Sequence, residues 1–315
     1  MSFFEEARSF LQKLLQSPPA LPLEPTLLPM LFSVTDDESK ASSREIVALI
    51  ERSQTLATRV LVLANSAYYG LSYKVTNLHQ AVSILGTEEI RLLTILVGVS
   101  SFVNDAKLPS RFDAAGLWKH QLTVATISKV LAEQIKMTAL ASLLAQQARP
   151  NSSLESPSVK EREIFCMIPQ DSYVIGLLHD IGQFCFAARR PDLWETVETL
   201  RVKEGLSVAD AENKFWGIDH GFIGATVLHN WSLPPAVTSP IHWHHATDLA
   251  TSYTVQTRLL AAANQIAHQG LAEGDCLPDE VMPLLPEKSD PHSFGAAIAA
   301  KLVEDSAGPF STLVW

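Results

Sequence analysis

Apolar residues recur at helical spacing along nearly the whole chain, and no stretch alternates with the period of two that a half-buried strand requires. Residues 2–16 place Phe3, Phe10, Leu11, Leu14 and Leu15 where they can pack on a neighbour. The proline-rich stretch from Ser17 to Pro29 is expected to end that helix and run extended, because each proline removes a donor and restricts the residue before it. Ser42 and Glu45 have the spacing of a capping box, which opens a helix through Ile46, Leu49 and Ile50. Another helix is expected from about Thr55 to Ser66. Leu78 to Leu85 reads as a short one that Gly86 stops before Thr87 caps the next.

In the second half Asp113 can cap a helix over Ala114 to Met137. Residues 138–170 then shift to Gln, Ser, Pro and Asn, the composition of a mobile insertion. A helix beginning near Asp171 contains YVIGLLHDIGQFCFAARR. Helical segments follow from Leu193, from Asp219 to Trp231, after Pro234 and from Val255 to His268, and residues 271–315 form a less regular tail. The fold class is therefore all-α. Its expected organisation is an N-terminal helix (1–17), an N-terminal helical lobe (18–108), a second helical lobe (109–268, with the insertion at 138–170) and a C-terminal tail (269–315).

Composition narrows the setting. The 315-residue chain has 24 Lys and Arg against 34 Asp and Glu, a formal net charge of −10. That balance argues against nucleic-acid binding, which is mostly phosphate neutralisation, and against docking on anionic lipid. Cys166, Cys185 and Cys276 are widely spaced and form no C-x-x-C, which excludes a disulfide framework or zinc ribbon and suits a reducing compartment. The N-terminus lacks a basic n-region and long apolar core, and no apolar run reaches the length of a membrane span, so a cytoplasmic location is expected.

The candidate chemistry lies in the histidines, seven of which fall between positions 120 and 245. His120 shares a stripe with Leu117, Val124, Ile127 and Leu131, where a core histidine bonded to a carbonyl fits equally well. Asp180 sits among Val174, Ile175, Leu177, Leu178, Ile181, Phe184 and Phe186, and an ionised carboxylate there requires a partner or a cation. A hydrogen-bonded His179–Asp180 pair without metal satisfies the same requirement. Asp219 reads as the N-cap of the segment that begins at His220. His244 and His245 offer two imidazoles from one turn, with Ile241 directing His244 inward. Imidazoles with a carboxylate suit a divalent metal ion: iron, zinc, manganese or nickel. His79, His268 and His292 lie outside this group and read as solvated.

The order His120, His179-Asp180, His220, His244-His245 resembles the HD superfamily of metal-dependent phosphohydrolases, and more closely its HDOD branch of output domains in bacterial signalling proteins. LPLEPTLLPML is similar to that family's proline-rich entry. REIVALIERSQTLATRVLVLANSAYYGLSYKVTNLHQAVSILGTEEIRLLTI is similar to its N-terminal hallmark, and LWKHQLTVATISKVLA, YVIGLLHDIGQF and DHGFIGATVLHNWSLPPAV continue it in order over residues 18–268. The resemblance implies an HD-like helical bundle preceded by an N-terminal helical lobe. It also implies metal ligation at His120, His179, Asp180, His220, His244 and His245.

Three positions depart from the related cyclic-dinucleotide phosphodiesterases. The late-helix aspartate is Asn264, the lysine expected three residues after the HD aspartate is Gln183, and HHATDLATSY replaces the Gly-Tyr-Pro loop. An amide brings no charge to a second cation, and Gln183 brings none to a phosphoryl transition state. No catalytic residue is assigned, although Asn264 and Gln183 remain additional site positions. The reading is a non-catalytic signalling or regulatory module that binds a protein partner or a small ligand such as a nucleotide, with a residual metal site. Its alternative is a metal-dependent phosphohydrolase acting on a nucleotide or cyclic dinucleotide. A third reading treats the polar pairs as satisfied core groups of an oligomerisation platform.

Overall fold

The computed structural model describes residues 3–17, 27–35, 41–105, 107–147, 158–270, 277–285, 295–296 and 298–300. The described residues contain α-helices and no strand. In chain order the helices are α1 (Phe3–Gln16), α2 (Leu27–Val34), α3 (Ser43–Ile50), α4 (Gln54–Ala64), α5 (Leu78–Asp105), α6 (Ala114–Gln147) and α7 (Val159–Cys166). There follow α8 (Pro169–Leu178), α9 (Ile181–Arg189), α10 (Pro191–Glu204), α11 (Val208–Trp216), α12 (His220–Asn230), α13 (Pro235–Trp243) and α14 (Thr254–Gln269). No helix among the described residues is long and apolar enough to cross a membrane.

The chain divides into two units. The smaller comprises residues 13–107 with 227–233, and in it α3 and α4 pack on α5 while α2 packs on α3 and α5. Ser42 and Glu45 make the expected capping box: the Ser42 N–H donates to Glu45 Oε2 at 2.7 Å and the Glu45 N–H to Ser42 Oγ. Gly86 has φ 81°, a conformation costly for any residue with a Cβ, and it breaks α5 where the sequence places a stop. Asn65 fastens the loop after α4, because its amide donates to the carbonyls of Leu61 and Val75 and accepts from the Val75 N–H.

Among the described residues the larger unit holds those from 3 to 12, from 108 to 226 and from 234 to 300. Its spine is α6, along which α8 and α14 pack. Phe184 and Phe186 are fully buried, and each contributes about 1.5–3 kcal/mol through the apolar surface it removes from water. Phe10 seals α1 against this core, its ring centroid 6.2 Å from Phe186 and 5.2 Å from Trp216. Asp113 accepts from the Gly116 N–H at 2.8 Å, the cap expected for α6.

Four local expectations are corrected. α6 continues to Gln147, so the first ten residues of the expected insertion are helical, and α7 and the start of α8 lie in its second part. Ala, Leu and Gln dominate residues 138–147, and these are strong helix formers. Residues 148–157, the middle of that insertion, lie outside the described residues. Leu27 to Pro29 begin α2, with Pro29 in the first turn where its missing N–H removes no helical bond. The stretch 18–26 lies outside the described residues, as do His292 and most of the tail. The third correction is that His179 and Asp180 are not inside one helix: α8 ends at Leu178 and α9 starts at Ile181. The fourth is α11, a helix that the apolar pattern did not reveal.

A close approach fixes the crossing of α9 and α12. A Cβ on Gly182 would stand 2.0 Å from the His220 carbonyl oxygen and 2.8 Å from the Gly224 nitrogen. Gly182→Ala must therefore displace the first turn of α12. Overpacking of this kind costs about 1–3 kcal/mol, so the melting temperature should fall by roughly 3–10 °C. Circular dichroism on heating reads this directly, and an unchanged melting temperature would show that α12 is not held by this contact.

Candidate metal centre

Helix termini supply most of the site. His120 projects from α6, His179 follows the last residue of α8, Asp180 precedes α9, His220 opens α12, His244 and His245 follow α13, and Asn264 lies on α14. All belong to the larger unit. Asp180 is the hub. Its Oδ2 is 3.2 Å from His179 Nε2 and 3.9 Å from His120 Nε2, and its Oδ1 is 2.9 Å from His220 Nε2. His245 Nε2 stands 2.8 Å from His220 Nε2, and the His244 ring centroid is 5.3 Å from that of His179. His179, Asp180, His220 and His244 are buried, and His245 is partly open to solvent.

The outer nitrogens decide what the inner ones can do. His179 Nδ1 is 2.8 Å from the Gly176 carbonyl and His244 Nδ1 is 2.6 Å from the Ile241 carbonyl. A carbonyl only accepts, so both Nδ1 atoms carry the proton, and whenever such a ring is neutral its Nε2 presents a lone pair inward. Neither Nε2 makes a hydrogen bond, although both are buried. Two unsatisfied buried lone pairs beside a carboxylate are costly unless a cation answers them. A divalent ion fits this donor set.

Electrostatics follow from the same geometry. Burial pushes the Asp180 carboxyl up, but the imidazoles of His179 and His220 outweigh it and hold it well below the usual carboxylate range. Burial pulls His220 down, yet Glu212 and Asp180 on its two sides push it well above an ordinary imidazole. His244 is held well below by burial, reinforced by His245, His179 and His220. His245 falls to about 3 through burial and His220, and His120 to about 4 through burial and His179.

The donors fall into two sets that share Asp180. Asp180, His220, His244 and His245 form one, and His120, His179 and Asp180 the other, the atoms of each lying within 4.8 Å of one another. The six sequence-predicted residues thus converge. Asn264 also reaches the site, its Oδ1 3.0 Å from His120 Nε2. Gln183 is half-buried in the first turn of α9, and its side chain makes no hydrogen bond to the cluster. Asp219 accepts from the Phe222 N–H at 3.0 Å, the expected cap.

Two participants escaped the sequence. His268, expected to be solvated, stacks on His120 with centroids 4.5 Å apart, four residues after Asn264 on the same helix face. Glu212 on α11 is buried and bonds His220 Nδ1 at 2.7 Å. The available signal was Ser207 three residues before Asp210, which caps α11.

An all-helical bundle closing on a buried cluster of imidazoles around one aspartate is the architecture of the HD superfamily. The HDOD domain profile matches residues 21–147 and 160–247, and the chain belongs to that family. A curated protein of Treponema pallidum (strain Nichols) is 24% identical over 201 residues, 64% of this chain. The chain spans about a third of that relative's length, 33%. Among solved structures, an HDOD domain protein from Geobacter sulfurreducens is similar with a TM-score of 0.67 and 22% identity, covering 98% of this chain and 97% of that one. A candidate phosphohydrolase from Shewanella amazonensis SB2B gives 0.64 and 22% over 95% and 94% of the two chains. A candidate signal transduction protein from Marinobacter aquaeolei VT8 gives 0.65 and 20% over 98% and 64%. These likenesses establish the fold.

Proposed function

We propose that this HDOD protein is a regulatory module that holds one divalent metal ion at Asp180, His220, His244 and His245, and that it does not turn over phosphodiesters. The module passes the state of that centre to a protein partner or a small ligand. The observation that carries the metal is the buried, hydrogen-bond-free Nε2 atom of His244, a member of that donor set. Against turnover stands the amide of Asn264, which engages His120 Nε2 where a second cation would need a free lone pair and a negative charge. Gln183 stands where the related phosphodiesterases carry a lysine, so that position brings no cationic charge to a phosphoryl group.

A bound divalent ion would supply a polarised oxygen and a more acidic water. The residues prepare for it. The Gly176 and Ile241 carbonyls fix the rings of His179 and His244, and Asp180 supplies the negative charge between the two donor sets. A second reading, a metal-dependent phosphohydrolase, draws support from the sharing of Asp180, because a two-metal centre uses a common carboxylate.

Elemental analysis of untagged protein purified without chelator tests the proposal. The expected result is about one divalent ion per chain, falling at least tenfold in Asp180→Asn and His244→Ala. Metal-free wild-type protein after incubation with iron, zinc, manganese and nickel salts would overturn the metal assignment. Turnover of bis(4-nitrophenyl) phosphate that disappears in Asp180→Asn would replace the regulatory reading with the hydrolytic one.

A further inference from the structure

Glu212 is a buried carboxyl group that is not among the metal donors of the site. It is 1% exposed, on a helix whose neighbouring buried residues are Ala209, Ala211, Phe215 and Trp216. Packing alone would favour an apolar side chain there, since an ionisable group taken out of water must be compensated. Compensation comes from one residue. Oε2 accepts from the His220 backbone N–H at 2.8 Å and from His220 Nδ1 at 2.7 Å. A serine or asparagine could satisfy the N–H at the start of α12 that has no partner within the helix, but one oxygen gripping both atoms fixes the position and the rotation of the imidazole together.

His220 differs from its neighbours in this respect. His179 and His244 are oriented by backbone carbonyls, whereas His220 is oriented by a carboxylate. A carboxylate draws the Nδ1 proton more strongly and raises electron density at Nε2, which makes the ring a better donor to a cation. Charge points the same way. Among the donors only Asp180 is a carboxylate, because the late-helix position carries Asn264. A divalent ion amid neutral imidazoles and one carboxylate leaves a buried net charge of about +1, and Glu212 removes it.

Resting on the metal reading above, we propose that Glu212 is a positioning residue for the metal centre: it orients His220 as a ligand and supplies, from behind that ring, the second negative charge that Asn264 does not. The centre is thereby matched to one divalent ion.

The test measures Mn²⁺ affinity by competition with a chelating dye for wild type, Glu212→Gln, Glu212→Ala and Ser207→Ala, all at a temperature where circular dichroism shows them folded. Glu212→Gln keeps an oxygen for both donors and loses the charge, so its dissociation constant should rise about tenfold, and that of Glu212→Ala nearer a hundredfold. Ser207→Ala weakens the cap of the same helix without touching His220 and should leave the constant unchanged. The His220 Nδ1 proton should also move upfield in the proton NMR spectrum of Glu212→Gln. Wild-type protein that binds Mn²⁺ no more tightly than Glu212→Gln overturns the role of Glu212 and leaves the metal site standing. Equal losses in Ser207→Ala overturn it also, since helix fraying would then account for the effect. Wild-type protein that takes up no Mn²⁺ overturns the metal reading and this inference together.

Discussion

Asn264→Asp is expected to raise the metal capacity of the protein from one divalent ion per chain to two. The wild-type amide oxygen lies 3.0 Å from His120 Nε2, so the ring's inward nitrogen is spent on a hydrogen bond. His120, His179 and Asp180 already place three donors within 4.8 Å of one another. What that set lacks is charge. Asp180 is shared with the other set, and two divalent ions on one carboxylate would leave a large uncompensated charge among buried rings. A carboxylate at position 264 supplies a fourth donor and one negative charge at the open side. Equilibrium dialysis against Mn²⁺ reads the outcome as a second equivalent, bound roughly 10–100-fold more tightly than wild type can hold it. A stoichiometry that stays at one would mean that His268, stacked on His120, closes that side sterically rather than Asn264 closing it electrostatically.

Why the sequence disclosed so much of this site is a matter of burial. Asp180 stood in a run of large apolar residues, and a carboxylate there needs a partner wherever the helices go. Local chemistry was equally readable where it is self-contained. The Ser42–Glu45 box, the Gly86 break and the Asp113 cap each involve residues within a few positions of one another. The family resemblance supplied the order in which the histidines meet, which periodicity alone leaves open.

The features that stayed hidden are those set by distant partners. Nothing in YVIGLLHDIGQFCF marks a helix boundary, because the apolar run continues through it. The long-range contact at the break is the Gly182 crossing with α12, beside which His179 gives its Nδ1 proton to the Gly176 carbonyl of its own turn. α11 is nine residues long and reads ADAEN through its middle, too short and polar for its stripe to stand out. Nothing in that stretch singles out Glu212, because its partner His220 lies on another helix. The same holds for His268, whose ring meets solvent on one side and His120 on the other.

Metal-free protein is expected to lose stability between pH 7 and pH 5.5, well before its carboxylates titrate. Three imidazoles of the cluster resist protonation in the folded state: His244, held far below the ordinary value by burial, His120 at about 4 and His245 at about 3. In the unfolded chain each takes up a proton near pH 6.5, so acid favours unfolding by up to about 1.4 kcal/mol per pH unit for a fully buried ring. The figure is smaller for His120 and His245, whose contact with solvent screens the charge. Two groups act in the opposite sense. His220 is raised above its unfolded value by Glu212 and Asp180, so its contribution is fully present below pH 6.5 and fades as the pH climbs through its folded value. Glu212 is raised by burial and also gains a proton more readily when folded. Asp180, depressed by its imidazole neighbours, holds its contribution until the pH falls below the unfolded carboxylate value near 3.9. Three depressed rings outweigh the two raised groups, leaving a net loss of about 1–3 kcal/mol over this interval, a drop of roughly 3–10 °C in melting temperature. Differential scanning calorimetry in chelator-treated buffers measures it. His244→Asn removes one neutral buried ring and should flatten the slope, whereas a melting temperature that holds constant down to pH 4.5 in the wild type would show that these rings are not kept neutral by the fold.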